Sequence, residues 1–241
     1  MPRPDECEAE RQDADRREKR LQDTQQRVVV FDLDGTLVRG YCFSQFVRLL
    51  LLRRPLRGAM SLVSAVVLVP LYLVPFTRDL GAAGFIWLAT IGLSPERFDA
   101  LARDFAFSHA AGPRRIATAL DRLQSHIQAG DRVIVATGSA DPVASAVCDV
   151  LGLTGVEVIA ARLRYGGRAQ RVAEGCLGIE KLRRIELAGV VTPVSYAYSD
   201  SWVDIPLLSS AVRPVLVGPS PRTVRRVRAA LGSDPEILPL H

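Results

Sequence analysis

A run of β-branched residues passes directly into two aspartates in the stretch Val28-Val-Val-Phe-Asp-Leu-Asp-Gly-Thr-Leu37. The apolar part of this stretch, Val28 to Phe31, is typical of a buried strand, because it is short and rich in valine. Gly35 permits a tight turn at its end. The sequence therefore places the carboxylates of Asp32 and Asp34 together where the first strand ends.

The second half of the chain alternates predicted strands and helices. We predict strands at four further places, 132–137, 156–160, 194–198 and 214–217. Residues 162–171 are predicted to form a hairpin that turns at Gly166-Gly167, and Ser139 is expected to cap the helix after the strand at 132–137. The alternation indicates an α/β fold with a doubly wound, parallel, Rossmann-like sheet.

Polar side chains stand where several of these strands end. They are Asp32 with Asp34, Thr137, and Asp200. Lys181 lies at the start of a predicted helix, between Thr137 and Asp200 in the sequence, and Asp204 is four residues after Asp200. Ligands of such sheets bind beyond the carboxyl ends of the strands, so one site would hold all these groups. Neighbouring carboxylates are costly unless something neutralises them, and Mg²⁺ prefers oxygen ligands of this kind.

The same residues suit the hydrolysis of a phosphate ester. Lys181, Thr137 and turn amides would bind a dianionic phosphate. Asp32 as nucleophile would form an aspartyl-phosphate, which divides one difficult step into two. Asp34 would protonate the leaving oxygen and then deprotonate the attacking water.

In this order, the residues resemble the four motifs of the haloacid dehalogenase superfamily, in its phosphoserine phosphatase-like branch. The motifs are Asp32-Leu-Asp-Gly-Thr36, the strand ending in Thr137-Gly-Ser139, Cys176-Leu-Gly-Ile-Glu-Lys181, and Tyr198-Ser-Asp-Ser-Trp-Val-Asp204. One departure is Ser201, which stands where that branch often has glycine, and Trp202 is bulky for this loop. Both put the shape of the loop in question.

The resemblance implies a role for each matching residue. Asp32 resembles the nucleophile and a metal ligand, and Asp34 resembles the general acid/base, with its main-chain carbonyl on the metal. The remaining roles implied are phosphate binding by Thr137, Gly138 and Lys181, direct Mg²⁺ binding by Asp200, and Mg²⁺ binding through water by Asp204.

The domain organisation follows from the same resemblance. Residues 27–40 and 113–241 are expected to form the core, and 41–112, between the first two motifs, a helical cap. Residues 1–26 are dense in charge, lack an apolar segment typical of a secretory signal, and are expected to be a disordered tail. Net charge is +5, which favours anionic partners. The four cysteines are scattered, so we expect free thiols rather than a zinc site or a disulfide framework.

The predicted cap is unusually apolar, since 58–77 and 80–95 contain no charged residue. Crossing a membrane twice would leave about 14–16 residues per crossing, or roughly 21–24 Å, which is short of a hydrocarbon core of about 30 Å. A re-entrant or interfacial hairpin fits better, with basic residues at the headgroups. Those residues are Arg53, Arg54, Arg57 and Arg78. A buried cap helix or a dimer interface is the alternative.

The apolar insertion directs the substrate hypothesis toward a lipid phosphate. Residues 43–56 and the later motifs resemble the phosphatidylglycerophosphatase C group, which implies a substrate such as phosphatidylglycerophosphate and a place on the cytoplasmic face of the membrane. The alternatives are a soluble phosphatase of small metabolites in the cytoplasm and a non-catalytic membrane scaffold. We expect neither a nucleic-acid partner nor an obligate protein partner.

Overall fold

The computed structural model describes residues 26–53, 55–74 and 76–240. Within them the chain forms a seven-stranded sheet in the order β4-β3-β2-β1-β5-β6-β7. Neighbouring strands are parallel except β3 and β4, which form an antiparallel hairpin. The strands are β1 (Val28–Phe31), β2 (Arg132–Ala140), β3 (Glu157–Tyr165), β4 (Gln170–Glu174), β5 (Val194–Ser199), β6 (Ala211–Val217) and β7 (Glu236–Leu238). The predicted tail, residues 1–26, lies outside the described residues except for Gln26.

Helices cover both faces of the sheet. They are α1 (Cys42–Leu52), α2 (Pro55–Leu73), α3 (Arg78–Thr90), α4 (Pro95–Ala110), α5 (Ala117–Gln128), α6 (Asp141–Val150), α7 (Ile179–Leu187), α8 (Ile205–Ser209) and α9 (Pro221–Leu231). Val29 and Phe31 enter the apolar cluster on one face, and Val30 enters the cluster on the other. Residues Val29 to Phe31 are therefore buried on both faces, as a central strand requires, and the predicted α/β fold class is confirmed.

The strand order places the ligand crevice at β1. After β1 in the chain, β2, β3 and β4 extend the sheet on one side of β1, and β5 then pairs with the other side of β1. The carboxyl ends of β1 and β5 therefore flank the point where the order reverses, which is where α/β sheets bind ligands. Asp32 follows β1 directly, and Asp200 follows β5.

One helix start differs from its prediction. The helix α6 begins at Asp141, with Ala140 as its N-cap, so the prediction that Ser139 caps it is wrong. The β2 strand instead extends through Ser139 to Ala140. The hydroxyl of Ser139 is engaged elsewhere, by the carboxylate of Asp34 and the backbone N–H of Phe43.

The insertion between β1 and α5 contains a tightly packed helical hairpin, α2 with α3. A Cβ on Gly81 would come within 2.6 Å of the backbone nitrogen of Tyr72, and one on Gly84 within 2.5 Å of Leu68 Cδ2. These glycines therefore allow the two helices to approach closely. On the inner side, Phe46 of α1 contacts aromatic rings of α4, and these residues share an apolar cluster with Val29 and Phe31 of β1, which connects the insertion to the core.

The outer side of α2 is apolar and exposed. The side chain of Val66 is 77 % exposed, and Phe76, just after the helix, is 99 % exposed. The alternative of a buried α2 is therefore wrong, whereas membrane contact and a dimer interface stay predictions. Among the described residues, none of the helices combines the length and apolarity that spanning a membrane requires. Of the predicted headgroup arginines, Arg54 and the side chains of Arg57 and Arg78 lie outside what the structure describes.

Candidate active site

Six of the seven predicted site residues line one cavity of about 380 Å³, at the carboxyl ends of β1 and β5. The seventh, Thr137, is fully buried behind it, and its hydroxyl contacts Asp34. Those that line the cavity are Asp32, Asp34, Gly138, Lys181, Asp200 and Asp204. A larger groove of about 580 Å³ lies between β3 and α7, but its charges form pairs such as Arg184 with Glu174.

Lys181 is the buried cation of the site, with 1 % of its side chain exposed. Its ammonium donates to Asp32 Oδ1 at 2.8 Å and to Asp204 Oδ2 at 2.7 Å. Burial alone would lower the pKa of Lys181, but the two carboxylates raise it above its usual range. Lys181 therefore stays protonated at neutral pH and fixes one oxygen of Asp32.

Asp32 is a buried carboxylate among other carboxylates. Burial raises its pKa well above the usual range, Lys181 opposes that effect, and Asp204 and Asp34 add to it. One ammonium is therefore insufficient to balance the negative charge here. A further positive charge next to Asp32 would favour its ionised form.

Asp34 is held by uncharged donors rather than by an ion pair. Its Oδ1 accepts the backbone N–H of Cys42 at 2.8 Å. Its Oδ2 accepts the Ser139 hydroxyl at 2.6 Å and the Thr137 hydroxyl at 3.3 Å. The carboxylates of Asp32 and Asp34 therefore occupy different environments although they are two residues apart.

Asp200 lies directly against the turn after β1. A Cβ on Gly35 would come within 2.3 Å of Asp200 Oδ2, and Gly35 has φ +82°, so this position requires glycine for two independent reasons. The backbone N–H of Asp200 donates to Thr36 Oγ1 at 3.1 Å. Burial raises the pKa of Asp200 to about 6, and Asp204 and Asp34 contribute to the shift.

The donor set of this cavity fits Mg²⁺. Asp32, Asp34 and Asp200 face the cavity, and Asp204 Oδ1 is a buried oxygen that has no hydrogen-bond partner among the described residues. Among the described residues, no group of three or more His, Cys, Asp or Glu side chains is arranged so that its members could hold a metal ion by themselves. Mg²⁺ does not need a site made of protein ligands alone, because it commonly binds through one or two carboxylates, water and substrate phosphate.

Several residues at the cavity had no predicted role. Ser139 contacts Asp34, and Tyr41, Tyr72, Leu177 and Val203 form much of the uncharged wall. The position of Ser139, two residues after the site residue Thr137, points to the site, but a serine at this position also suits a helix N-cap. The other four come from separate segments, and only the fold brings them together.

Comparison with known proteins agrees with this geometry. Residues 29–209 match the haloacid dehalogenase-like hydrolase family. This chain belongs to that family. The sequence prediction of a hydrolase with this fold is therefore confirmed.

Three individual proteins are similar to this chain. A Bordetella pertussis protein of unknown function has a similar structure, with TM-score 0.68, 24 % identity, and coverage of 89 % of this chain and 99 % of the other. A substrate-bound phosphoserine phosphatase has TM-score 0.54, 14 % identity, and coverage of 89 % and 93 %. At these low identities, the two structural matches show a shared fold alone. An inhibition of morphological differentiation protein from Streptomyces azureus is 32 % identical over 117 residues, which are 46 % of this chain and only 41 % of that protein.

Proposed function

We propose that this protein is a Mg²⁺-dependent phosphatase that forms an aspartyl-phosphate on Asp32. The observation that carries the proposal is the contrast between two carboxylates at the end of β1. Asp32 is paired with the buried ammonium of Lys181, whereas Asp34 accepts hydrogen bonds from a backbone N–H and two hydroxyls. Two carboxyl groups in different environments are suited to separate chemical roles.

The first step forms a bond between Asp32 and phosphorus. Lys181 holds Oδ1, so Oδ2 attacks, and the bond between phosphorus and the leaving oxygen breaks. Asp34 gives its proton to that oxygen. The product alcohol departs, and the phosphoryl group remains on Asp32.

The second step releases phosphate. Asp34, now ionised, takes a proton from water, and the resulting hydroxide attacks phosphorus and breaks its bond to Asp32. Lys181 keeps its charge throughout and offsets the negative charge of the phosphoryl oxygens, together with backbone amides of the turn at Gly138. Thr137 would contribute its hydroxyl by turning from Asp34 toward the phosphate.

The metal-binding residues of the proposal are Asp32, Asp200 and the main-chain carbonyl of Asp34, with Asp204 acting through water. When bound, Mg²⁺ supplies positive charge that offsets the charge of the carboxylates and of the phosphoryl oxygens. The raised pKa values of Asp32 and Asp200 support this assignment, since both carboxyl groups lack a sufficient counter-charge.

The uncharged wall of the cavity favours a substrate whose leaving group carries no charge close to the phosphate. Apart from the carboxylates and Lys181, the described residues at the cavity carry no formal charge. The amino and carboxylate groups of phosphoserine would need charged partners, since unpaired charges are costly to desolvate. The uncharged wall is formed by Tyr41, Phe43, Ser44, Tyr72, Gly138, Ser139, Leu177, Ser201 and Val203.

The surface near the cavity supports a lipid phosphate as that substrate. The exposed apolar side of α2 reaches the cavity at Tyr72, and Leu177 and Trp202 are exposed at or next to it on the core side. Arg226 lies over the Trp202 ring, 4.2 Å from its centroid. Aromatic and basic side chains beside apolar ones are typical of membrane interfaces. These features support action at a membrane surface, for which the sequence resemblance implies the cytoplasmic face. They also support a substrate such as phosphatidylglycerophosphate, whose anionic phosphodiester is separated from the cleaved phosphate by a glycerol unit and so need not contact the uncharged wall.

The test compares phosphate release from three substrates with Mg²⁺ and with EDTA. We expect turnover of phosphatidylglycerophosphate or phosphatidic acid in detergent micelles, none with EDTA, and little turnover of phosphoserine. Asp32→Asn serves as the inactive control. Preferential hydrolysis of phosphoserine would overturn the lipid assignment, and absence of any Mg²⁺-dependent turnover would overturn the phosphatase itself.

A further inference from the structure

We propose that Ser139 is a positioning residue that holds the general acid/base Asp34 and couples it to the first helix of the insertion. The inference rests on the proposed phosphatase function for its catalytic part. The side chain of Ser139 is buried, with 2 % of the residue exposed. Its hydroxyl donates to Asp34 Oδ2 at 2.6 Å and accepts the backbone N–H of Phe43 at 3.1 Å.

The start of α1 explains why these contacts matter. The first backbone N–H groups of a helix have no partner within the helix. Tyr41, the N-cap residue of α1, makes no side-chain capping hydrogen bond. The N–H of Cys42 donates to Asp34 and that of Phe43 donates to Ser139. Asp34 and Ser139 together therefore cap α1, although Ser139 lies about 100 residues after Phe43 in the sequence.

Ser139 also complements the expected movement of Thr137. At present Asp34 Oδ2 accepts from both hydroxyls, at 2.6 Å from Ser139 and 3.3 Å from Thr137. When Thr137 turns toward a bound phosphate, Ser139 is the hydroxyl that stays on Asp34. The orientation of Asp34 toward the leaving oxygen then depends on Ser139 and on the start of α1.

The catalytic part is tested by comparing two leaving groups with Ser139→Ala. Dodecyl phosphate has a poor leaving group that needs a proton, whereas p-nitrophenyl phosphate does not. We expect kcat/KM for dodecyl phosphate, which reports the steps up to departure of the alcohol, to fall about 10- to 100-fold because the acid is misplaced. For p-nitrophenyl phosphate the fall in kcat/KM should be less than about threefold. Ser139→Thr keeps the hydroxyl and should recover most of the loss.

The matched control is Ser145→Ala, which removes another serine-to-aspartate hydrogen bond, the one to Asp141 Oδ1 at 3.0 Å. This variant should be indistinguishable from wild type with both substrates. Equal losses of kcat/KM on the two phosphates in Ser139→Ala would indicate a merely structural role and would overturn the inference. So would an unchanged kcat/KM for dodecyl phosphate.

The coupling to α1 is tested without relying on activity. Hydrogen exchange followed by mass spectrometry should show faster exchange at the start of α1 in Ser139→Ala, on the order of tenfold, because the Phe43 N–H loses its acceptor. Peptides from α9 should be unchanged. Unaltered exchange at α1 would overturn the coupling, even if the proposed phosphatase function failed in its own test.

Discussion

Replacing Lys181 by methionine tests the electrostatic core of the site. The ammonium has two hydrogen bonds, at 2.8 Å to Asp32 and 2.7 Å to Asp204, and all three side chains are nearly inaccessible. Removing one member of a buried charge network leaves the others uncompensated, which costs about 3–5 kcal/mol. For a chain of this size that corresponds to a fall in Tm on the order of 10 °C. Phosphate release should be lost as well.

The pH dependence of Lys181→Met distinguishes electrostatics from packing. Without Lys181, the pKa of the buried Asp32 rises further above its unfolded value of about 3.9. A group with a raised pKa in the folded state contributes stability below its unfolded pKa, and that contribution is lost as pH rises through the folded pKa. The stability deficit of the variant should therefore be smaller at pH 5 than at pH 8.

Urea denaturation in EDTA at the two pH values measures this deficit. Arg162→Met is the matched control, because it removes an exposed pair with Glu174 that has an N–O distance of 3.7 Å. It should cost less than about 1 kcal/mol at either pH. A deficit below 1 kcal/mol for Lys181→Met, or one that does not change with pH, would refute the reasoning.

Three further predictions concern the turn, the metal and the membrane. Gly35→Ala should lower kcat/KM about 100-fold, because its Cβ would displace Asp200 and the φ of +82° is unfavourable for alanine; near-normal steady-state kinetics would contradict this. Mg²⁺ activation should weaken as pH falls through about 6, because the Asp200 carboxyl then takes up a proton that competes with the metal; titrations at pH 5.5 and 7.5 that give the same Mg²⁺ requirement would count against Asp200 as a ligand. Val66→Glu should reduce sedimentation with anionic phospholipid vesicles about tenfold, whereas Val191→Glu, on the core and 81 % exposed, should not. Equal vesicle binding of both variants and wild type would contradict membrane contact through α2, and a Val66-dependent dimer in light scattering would instead support a contact between copies of the chain.

The strand ends of the site were accessible from sequence because their signals are local. Val28 to Phe31 is recognisable as a buried strand from four residues, and the aspartates follow at once. Parallel strands then bring Asp200 to the same edge as Asp32, although they are far apart in the chain. The α/β alternation was therefore sufficient to predict which groups meet.

Other features depended on tertiary contacts that no local pattern contains. Ser139 has the spacing of a helix cap, but its hydroxyl contacts Asp34, which precedes it by about 100 residues. The cavity wall joins Tyr72, Leu177 and Val203 from three segments. The edge strand β7 has only three residues, too few for a recognisable alternation. The exposure of α2 is also invisible in sequence, because a buried helix and an exposed apolar one have similar composition.

The most direct test of the central claim is to locate the phosphoryl group after rapid acid quench of the enzyme during turnover. Mass spectrometry of the digested protein should find it on Asp32. With p-nitrophenyl phosphate, whose leaving group needs no proton, it should accumulate in Asp34→Asn, which lacks the base for the second step. Asp32→Asn should carry no label and release no phosphate. Phosphate release by Asp32→Asn, or a label on a different residue, would contradict the account.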